Sequence, residues 1–184
     1  DDLAANLNTI ARNVKIQVEF NPNRISRYRQ IGYERRQLKK EDFRDDKIDA
    51  GEVGSGQSVT ALYETELKPQ MNADERRLQN KENVIATVRV RYQRVDNGQV
   101  EEIERAVTAA DMVSQFDKAD VRFRLAACAA QFAEILRGSP FAEGREFQDV
   151  ARVLAPIALE LNLDGRVQEL MKMVNGANGL SRGQ

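Results

Sequence analysis

The segment Val14–Phe20 constrains the fold of this chain more than any other. Its apolar residues occupy every second position, at Val14, Ile16, Val18 and Phe20, with Lys15, Gln17 and Glu19 between them. Side chains of a strand alternate between faces, so the pattern predicts a strand with one apolar and one polar face. The apolar face requires a second layer to cover it, which favours a sheet or a sandwich.

The residues after this strand predict a turn and a second strand. Asn21-Pro22-Asn23 ends the first strand, because proline lacks an amide donor and asparagine suits turns. Extended structure resumes through Tyr28, Ile31 and Tyr33, and Gly32 suggests a bulge or a close backbone approach. A further strand is predicted over residues 57–67, whereas residues 34–56 and 68–83 are interpreted as a long loop and an exposed connection.

Asn97-Gly98 gives the strongest hairpin signal, since this dipeptide favours a two-residue type I′ turn. The turn would join a strand over residues 84–96 to one over residues 99–107. Counting back from the turn predicts these opposed pairs: Asp96 with Gln99, Tyr92 with Ile103, Arg91 with Glu104, and Val88 with Val107. Arg105 opposite Val90 is the one mismatch.

Beyond residue 116 the apolar period becomes helical. Helices are expected from Val121, ending at Gly138 and Pro140, then over about residues 146–161, and again after Asp164. Asp117 or Asp120 would cap the first helix, and Pro156 should kink or split the second. The fold class is therefore α+β, an antiparallel β-sheet or sandwich followed by a small helical segment of about three helices.

Four segments follow from these patterns. Residues 1–12 are expected to form a short helix, residues 13–116 a β-sandwich, residues 117–175 a helical segment packed on it, and residues 176–184 a flexible tail.

Composition excludes several kinds of chemistry. The 184 residues contain no histidine and one cysteine, and 28 Lys+Arg balance 29 Asp+Glu to a net charge of -1. Histidine-dependent catalysis and histidine metal sites are excluded, as are an intramolecular disulfide and a cysteine-rich zinc site. Cys128 lies on an apolar helix face and is expected to be a buried hydrophobic residue. No run is long enough to insert into a membrane.

Two loops were considered as ligand sites. Asp45, Asp46, Asp49 and Glu52 form the candidate metal loop, but its spacing departs from that of an EF-hand, and a solvated or salt-bridged loop is preferred. The glycine-rich residues 54–58 lack the lysine and following helix of a phosphate loop, so a flexible entry into a strand is preferred. No catalytic or cofactor-binding residue is assigned, and no cofactor is expected.

Two surfaces support alternative functions. Basic and aromatic residues alternate over 24–40, and the candidate binding surface consists of Arg24, Arg27, Tyr28, Arg29, Tyr33, Arg35 and Arg36. Such a surface can bind a polyanion or single-stranded nucleic acid, although neutral overall charge favours a solvated strand face. A carboxylate-based hydrolase is the second alternative, using Glu101, Glu102 or Glu104 together with an acid of the loop over residues 41–52.

Three blocks of sequence carry a resemblance to a known family. They are IARNVKIQVEFNPNRISRYRQIGYERR, DDKIDAGEVGSGQSVTALYE and VRFRLAACAAQFAEILRGSPF. In this order, over about residues 7–142, they resemble the region downstream of the von Willebrand factor A domain in bacterial von Willebrand factor type A domain proteins. That region is a domain of unknown function.

The resemblance implies a context for the chain. A preceding A domain would be one partner in the same polypeptide, residues 1–12 would be its last helix, and an unknown protein would be another partner. The proteins would act at the cell envelope, often as lipoproteins, and this region would be a non-catalytic accessory module. The Asp-x-Ser-x-Ser metal loop of A domains does not occur in these 184 residues, so no metal ligand is carried over.

Overall fold

The computed structural model of the chain describes residues 8–33, 37–68 and 84–181. The chain divides into a sheet unit ending at Met112 and a helical unit beginning at Val113, and each is described by itself. The strands are β1 (Thr9–Phe20), β2 (Ile25–Ile31), β3 (Gly51–Gly54), β4 (Leu62–Leu67), β5 (Val84–Arg94) and β6 (Val100–Thr108). The helices are α1 (Val121–Leu136), α2 (Phe147–Glu160) and α3 (Gly165–Ser181), with short 3-10 turns at Glu41–Arg44, Ala109–Asp111, Phe116–Lys118 and Pro140–Ala142.

The sheet unit contains two antiparallel sheets. One has four strands in the order β3-β1-β5-β6, and the other pairs β2 with β4. β1 lies inside the larger sheet, where it pairs with β3 on one side and β5 on the other. Antiparallel sheets followed by three helices confirm the predicted α+β class.

The first strand begins earlier than predicted. Thr9–Arg12 was expected to close a short helix, but these residues belong to β1, where Ala11 lies opposite both Val53 of β3 and Arg94 of β5. Hydrogen-bonded neighbours on both sides stabilise the extended chain more than a short, isolated helix could. A bulge at Asn13, with φ of 49°, accommodates the shift of register. The rest of the predicted helix, residues 1–7, lies outside the described residues.

The predicted loop over residues 34–56 also contains structure. It includes the 3-10 turn Glu41–Arg44, whose Phe43 is buried, and the edge strand β3. Four residues with glycine at each end have almost no strand signal of their own, so β3 exists because β1 pairs with it. Conversely, residues 57–61 were predicted to belong to a strand but lie outside β4, which begins at Leu62.

The hairpin between β5 and β6 has a longer loop than predicted. A type I′ turn requires positive φ at both central residues. Gly98 has φ of +71°, but Asn97 is not among the residues with positive φ, so the prediction of a type I′ turn is wrong. Instead, Arg94 donates its backbone N–H to the Gln99 carbonyl at 2.8 Å across a four-residue loop. The predicted register is therefore wrong by two residues. The observed pairs are Tyr92 with Glu101, Arg91 with Glu102, Val90 with Ile103, Arg89 with Glu104, and Val88 with Arg105.

The longer loop brings opposite charges together twice. Both registers keep the same side chains on each face, because they differ by an even number of residues. The observed register places Arg89 and Arg91 each opposite a glutamate, whereas the predicted register supplied the Arg91–Glu104 pair. It also pairs Val90 with Ile103, while Arg105 now lies opposite Val88 instead of Val90.

Three helices form the helical unit, much as the apolar period predicts. Asp120 caps α1, and its carboxylate accepts the backbone N–H of Arg122 at 2.8 Å. Pro156 lies within α2 without splitting it. Its neighbours Leu154 and Ile157 are fully buried, so packing offsets the cost of the missing hydrogen bond.

The predicted flexible tail is wrong for residues 176–181. α3 continues through them to Ser181, and the remaining three residues lie outside the described part. Val174 is fully buried and Ala177 packs against the same cluster, so tertiary contacts order a segment that two glycines would weaken in isolation. The buried residues of this core are Cys128, Phe132, Val150, Leu154, Ile157 and Val174.

Two leucines of α2 test this core. Leu154 has no exposed surface, whereas Leu159 is 77% exposed. We expect Leu154→Ala to lower the free energy of unfolding of the helical unit by about 2–5 kcal/mol, through lost burial and a residual cavity. Leu159→Ala should change it by less than about 0.5 kcal/mol. Urea denaturation followed by circular dichroism measures both, and equal effects would contradict the assigned core.

Candidate interaction surfaces of the four-stranded sheet

Ion pairs cross three strands on one face of the four-stranded sheet, which we call the charged face. Arg89 of β5 contacts Glu19 of β1 through Nη1 at 2.7 Å and Glu104 of β6 through Nε at 2.7 Å. The Arg89 side chain is only 19% exposed, which limits competition from water. Lys40 adds a second cation 3.3 Å from Glu19. This row links the charges of β1, β5 and β6.

A second row connects the same face to the acidic loop. Arg91 contacts Asp46 at 2.9 Å and approaches Glu102 of β6 at 3.9 Å. Arg44, at the end of the 3-10 turn, contacts Glu102 at 2.8 Å. Arg44 and Asp46, which precede β3, are therefore held over the charged face by side-chain contacts.

A buried cation strengthens this attachment. Lys15 belongs to the polar set of the β1 pattern, yet it is only 3% exposed. Its Nζ donates to the backbone carbonyl oxygens of Asp42 at 3.2 Å and Asp45 at 2.5 Å. Alternation correctly predicts the face on which Lys15 lies, but it contains no information about the turn that covers it.

The acids predicted as metal ligands have other contacts. Asp46 pairs with Arg91, and Glu52 lies 3.8 Å from the Arg12 Nε. Asp45 accepts the backbone N–H of Lys47 at 2.9 Å, while Asp49 is exposed. Within residues 8–33, 37–68 and 84–181, no group of three acids or cysteines is placed to hold a metal ion.

The glycine-rich candidate for phosphate binding folds as a turn. Gly54 belongs to β3 and donates its N–H to the Gln57 side-chain oxygen at 2.8 Å. Gly56 has φ of +76° and supplies the left-handed residue of that turn. The Gln57 side chain therefore accepts the Gly54 N–H, which a bound phosphate would need as a donor.

The basic surface is divided by strand alternation. Arg27 and Arg29 lie opposite Glu66 and Glu64 of β4, with contacts of 2.7 and 2.6 Å. Tyr28, between them, lies on the other face, where its ring is 4.4 Å from that of Phe20. Phosphate contacts and base stacking would therefore require opposite faces of one strand.

Two more residues of the candidate binding surface lie at the ends of β2. Arg24 lies in the turn before β2, and Tyr33, 44% exposed, follows β2 with φ of 60°. Arg35 and Arg36 lie outside the described residues.

The three acids predicted for a hydrolase are each paired with an arginine, and Glu101 also accepts a hydrogen bond from a tyrosine hydroxyl. A hydrogen bond from the Tyr92 hydroxyl, with a contribution from Arg94, lowers the pKa of Glu101. Hydrogen bonding to Arg44 lowers the pKa of Glu102, and Glu104 is bound to Arg89. A general acid at neutral pH requires a raised pKa, so these contacts favour structural ion pairs.

The opposite side of the sheet, which we call the apolar face, is partly uncovered. Its apolar residues include Ile16, Val18, Val88, Val90 and Ile103, and one row across three strands joins Ile16, Val90 and Ile103. Ile16 and Ile103 are 45% and 55% exposed. At the other end of β1, Phe20 is covered by the rings of Tyr28 and Tyr63.

Cys128 is buried in the helical core, which confirms its predicted structural role. Burial raises the pKa of its thiol to about 11. In the part of the chain that the structure describes, no helix has the length and apolar character needed to cross a membrane.

Comparison with known proteins identifies the family. The family described as "Uncharacterized protein YfbK, C-terminal" matches residues 5–180. The chain belongs to this family. It is 31% identical to the Escherichia coli (strain K12) protein described as "Uncharacterized protein YfbK", over 94% of this chain and 31% of that protein. The chain thus spans about a third of the length of that relative. No solved structure matches it.

Removal of Arg89 tests the charged face. A hydrogen bond from Arg89 is the main cause of the lowered pKa of Glu19, so Arg89→Met should raise that pKa toward its ordinary value of 4.5. Carbon-detected NMR titration of the side-chain carboxyl measures the shift. The pKa of Glu101 provides the control and should not move, since Tyr92 and Arg94 lower it.

The same substitution should change the pH dependence of stability. A lowered pKa in the folded state contributes stability above the unfolded pKa, and this contribution is lost as pH falls through the folded pKa. The acid-side loss of stability should therefore be smaller in Arg89→Met. An unchanged Glu19 titration would contradict the role assigned to Arg89.

The reactivity of Cys128 tests the helical core. With its pKa raised to about 11 and its side chain buried, the thiol should react slowly with a disulfide reagent at pH 8. Urea that unfolds the helical unit should restore the rate of a free thiol. Rapid reaction in the native protein would show that Cys128 is accessible.

Proposed function

We propose that the chain is a non-catalytic interaction module that supports protein–protein contacts or assembly beside a von Willebrand factor A domain at the bacterial cell envelope. The observation that supports this proposal is the exposed apolar face of the four-stranded sheet. Exposed apolar residues arranged contiguously on a regular element are typical of a protein contact. The uncovered row contains Ile16, Val90 and Ile103.

The charged face makes this surface suitable for recognition. Ion pairs cross β1, β5 and β6 beneath the apolar side chains and tie these strands in one register. A surface held in one conformation loses less entropy on binding. Charged Glu101 and Arg105 flank Ile103 along β6, so the apolar row has a polar rim, as protein interfaces commonly do.

The proposed partner of the apolar face is the preceding A domain in the same polypeptide. The resemblance of the three sequence blocks supports this partner, and the relative from E. coli has length for further domains. The helical unit would contact an unknown protein partner through exposed side chains, which include Leu159 and Leu163. Localisation at the cell envelope rests on the same resemblance.

Thiol labelling can test whether the apolar face is covered. Ile16→Cys introduces a thiol on that face, and native Cys128 should contribute little because it is buried. Labelling of residue 16 should be at least about tenfold slower in the full-length protein than in this chain alone, because a covered thiol is inaccessible to the reagent. Mass spectrometry of the labelled peptide gives both rates.

Val59→Cys is the matched control. Val59 is 59% exposed and precedes β4, outside the strands that carry the apolar row. Its labelling rate should be similar in the two proteins. Equal labelling of residue 16 in the full-length protein and the isolated chain would overturn the proposed contact.

A further inference from the structure

Among the residues that the structure describes, β6 is a long edge strand of the four-stranded sheet. Within the described ranges it has one strand neighbour, β5, and it extends over nine residues. The other edge of the same sheet, β3, has four residues. An edge strand presents peptide groups that can pair with another strand.

The direction of these peptide groups follows from one hydrogen bond. Arg94 donates to the Gln99 carbonyl at 2.8 Å across the β5–β6 pair, so residues at odd positions of β6 direct their peptide groups toward β5. The peptide groups of Glu102, Glu104 and Ala106 therefore face outward. Asp111 accepts the backbone N–H of Thr108 at 2.8 Å and closes the end of this edge.

The side chains of β6 have a symmetric arrangement on the apolar face. Ile103 is central, with Glu101 two residues before it and Arg105 two residues after it. The Arg105 side chain is 80% exposed and lies 3.8 Å from Asp111. Glu101 accepts hydrogen bonds from Tyr92 and Arg94 of its own chain and is partly exposed. Rotation by 180° about an axis through Ile103 exchanges the acidic and basic positions, so this segment is complementary to itself.

We propose that β6 pairs with β6 of a second copy of this chain, in an antiparallel arrangement whose two-fold axis passes through Ile103. Ile103 then packs on Ile103 of the second copy, and Glu101 lies opposite Arg105 of the second copy. The outward peptide groups of Glu102 and Glu104 form hydrogen bonds with those of Glu104 and Glu102 of the second copy. Two four-stranded sheets thereby become one continuous sheet.

Cross-strand energetics select this register. Ile103 pairs form at non-hydrogen-bonded positions, where side chains of antiparallel strands approach most closely. Centring the axis on Glu104 would place Ile103 opposite Arg105, and centring it on Glu102 would place Glu101 opposite Ile103. Both alternatives oppose a charge and an apolar side chain.

On the charged face, the proposed pairing places Glu102 of one copy opposite Glu104 of the other. Each of these glutamates has a cationic partner in its own chain. Glu102 contacts Arg44 at 2.8 Å, and Glu104 contacts Arg89 at 2.7 Å within the same chain. The charged face therefore provides cations where the acids of two copies meet. Isolated charges on an edge strand usually oppose association. Here Glu101 and Arg105 are complementary on the apolar face, and Arg44 and Arg89 offset the repulsion between Glu102 and Glu104 of the two copies.

This inference rests on the proposed function, since it names a second copy as a partner of the same sheet. Pairing uses the edge of the sheet and leaves Ile16, two strands away, free for another contact. Sedimentation equilibrium of the 184-residue chain over about 10–500 µM tests it, since a contact of this small size should be weak. We expect a reversible monomer–dimer equilibrium.

Charge reversal supplies the decisive experiment. Glu101→Arg places arginine opposite Arg105, and Arg105→Glu places glutamate opposite Glu101, so each variant alone should self-associate at least about tenfold more weakly. An equimolar mixture should recover the dimer, because residues 101 and 105 are then oppositely charged at both of their contacts. The double variant Glu101→Arg/Arg105→Glu should also associate like the natural sequence. A folding defect cannot produce recovery on mixing.

Two further variants complete the test. Glu143→Arg and Arg145→Glu make the same charge changes in the helical unit and should leave association unchanged. Ala106→Pro removes one outward N–H donor, which an edge strand tolerates, and should weaken association without changing the circular dichroism. A chain that stays monomeric throughout, or a dimer insensitive to charge reversal, would overturn the pairing. Labelling of Ile16→Cys reports separately on the proposed function.

Discussion

The sheet unit depends on Arg89, which lies between carboxylates of two other strands. Contacts of 2.7 Å to Glu19 and Glu104 require β1, β5 and β6 to adopt one register, because a slip of one residue would move every side chain to the opposite face. Each exposed ion pair contributes little alone, but a connected row specifies geometry. Arg91 extends the same constraint to Asp46 and thereby to the acidic loop.

The two faces of this sheet have different roles for a physical reason. On the charged face, carboxylates and guanidinium groups satisfy one another, and Lys15 satisfies two backbone carbonyls of the covering turn. On the apolar face, the described residues leave Ile16 and Ile103 about half exposed to water. Burial against another protein surface would remove this apolar area from water. The proposed interaction function follows from this difference.

Local rules were least reliable where contacts between side chains of different strands decide the structure. Asn97-Gly98 favours a two-residue turn, yet the longer loop places both arginines of β5 opposite glutamates of β6. Similarly, Tyr28 and its flanking arginines resemble one binding surface in the sequence, whereas alternation assigns the ring and the guanidinium groups to opposite faces. The acidic loop was predicted to be solvated or salt-bridged, and Arg91, the partner of Asp46, is 45 residues away.

The sequence by itself determined the elements that depend on local periodicity. The alternation from Val14 to Phe20 and the helical period after Val121 predict β1 and α1, because backbone geometry sets these periods. The sequence left Asp117 and Asp120 as possible caps, and the structure shows that Asp120 caps α1. Tertiary structure alone decided that β1 begins at Thr9, that β3 forms, and that Lys15 is buried. These outcomes depend on hydrogen bonds and burial between segments far apart in the chain, and no local pattern contains that information.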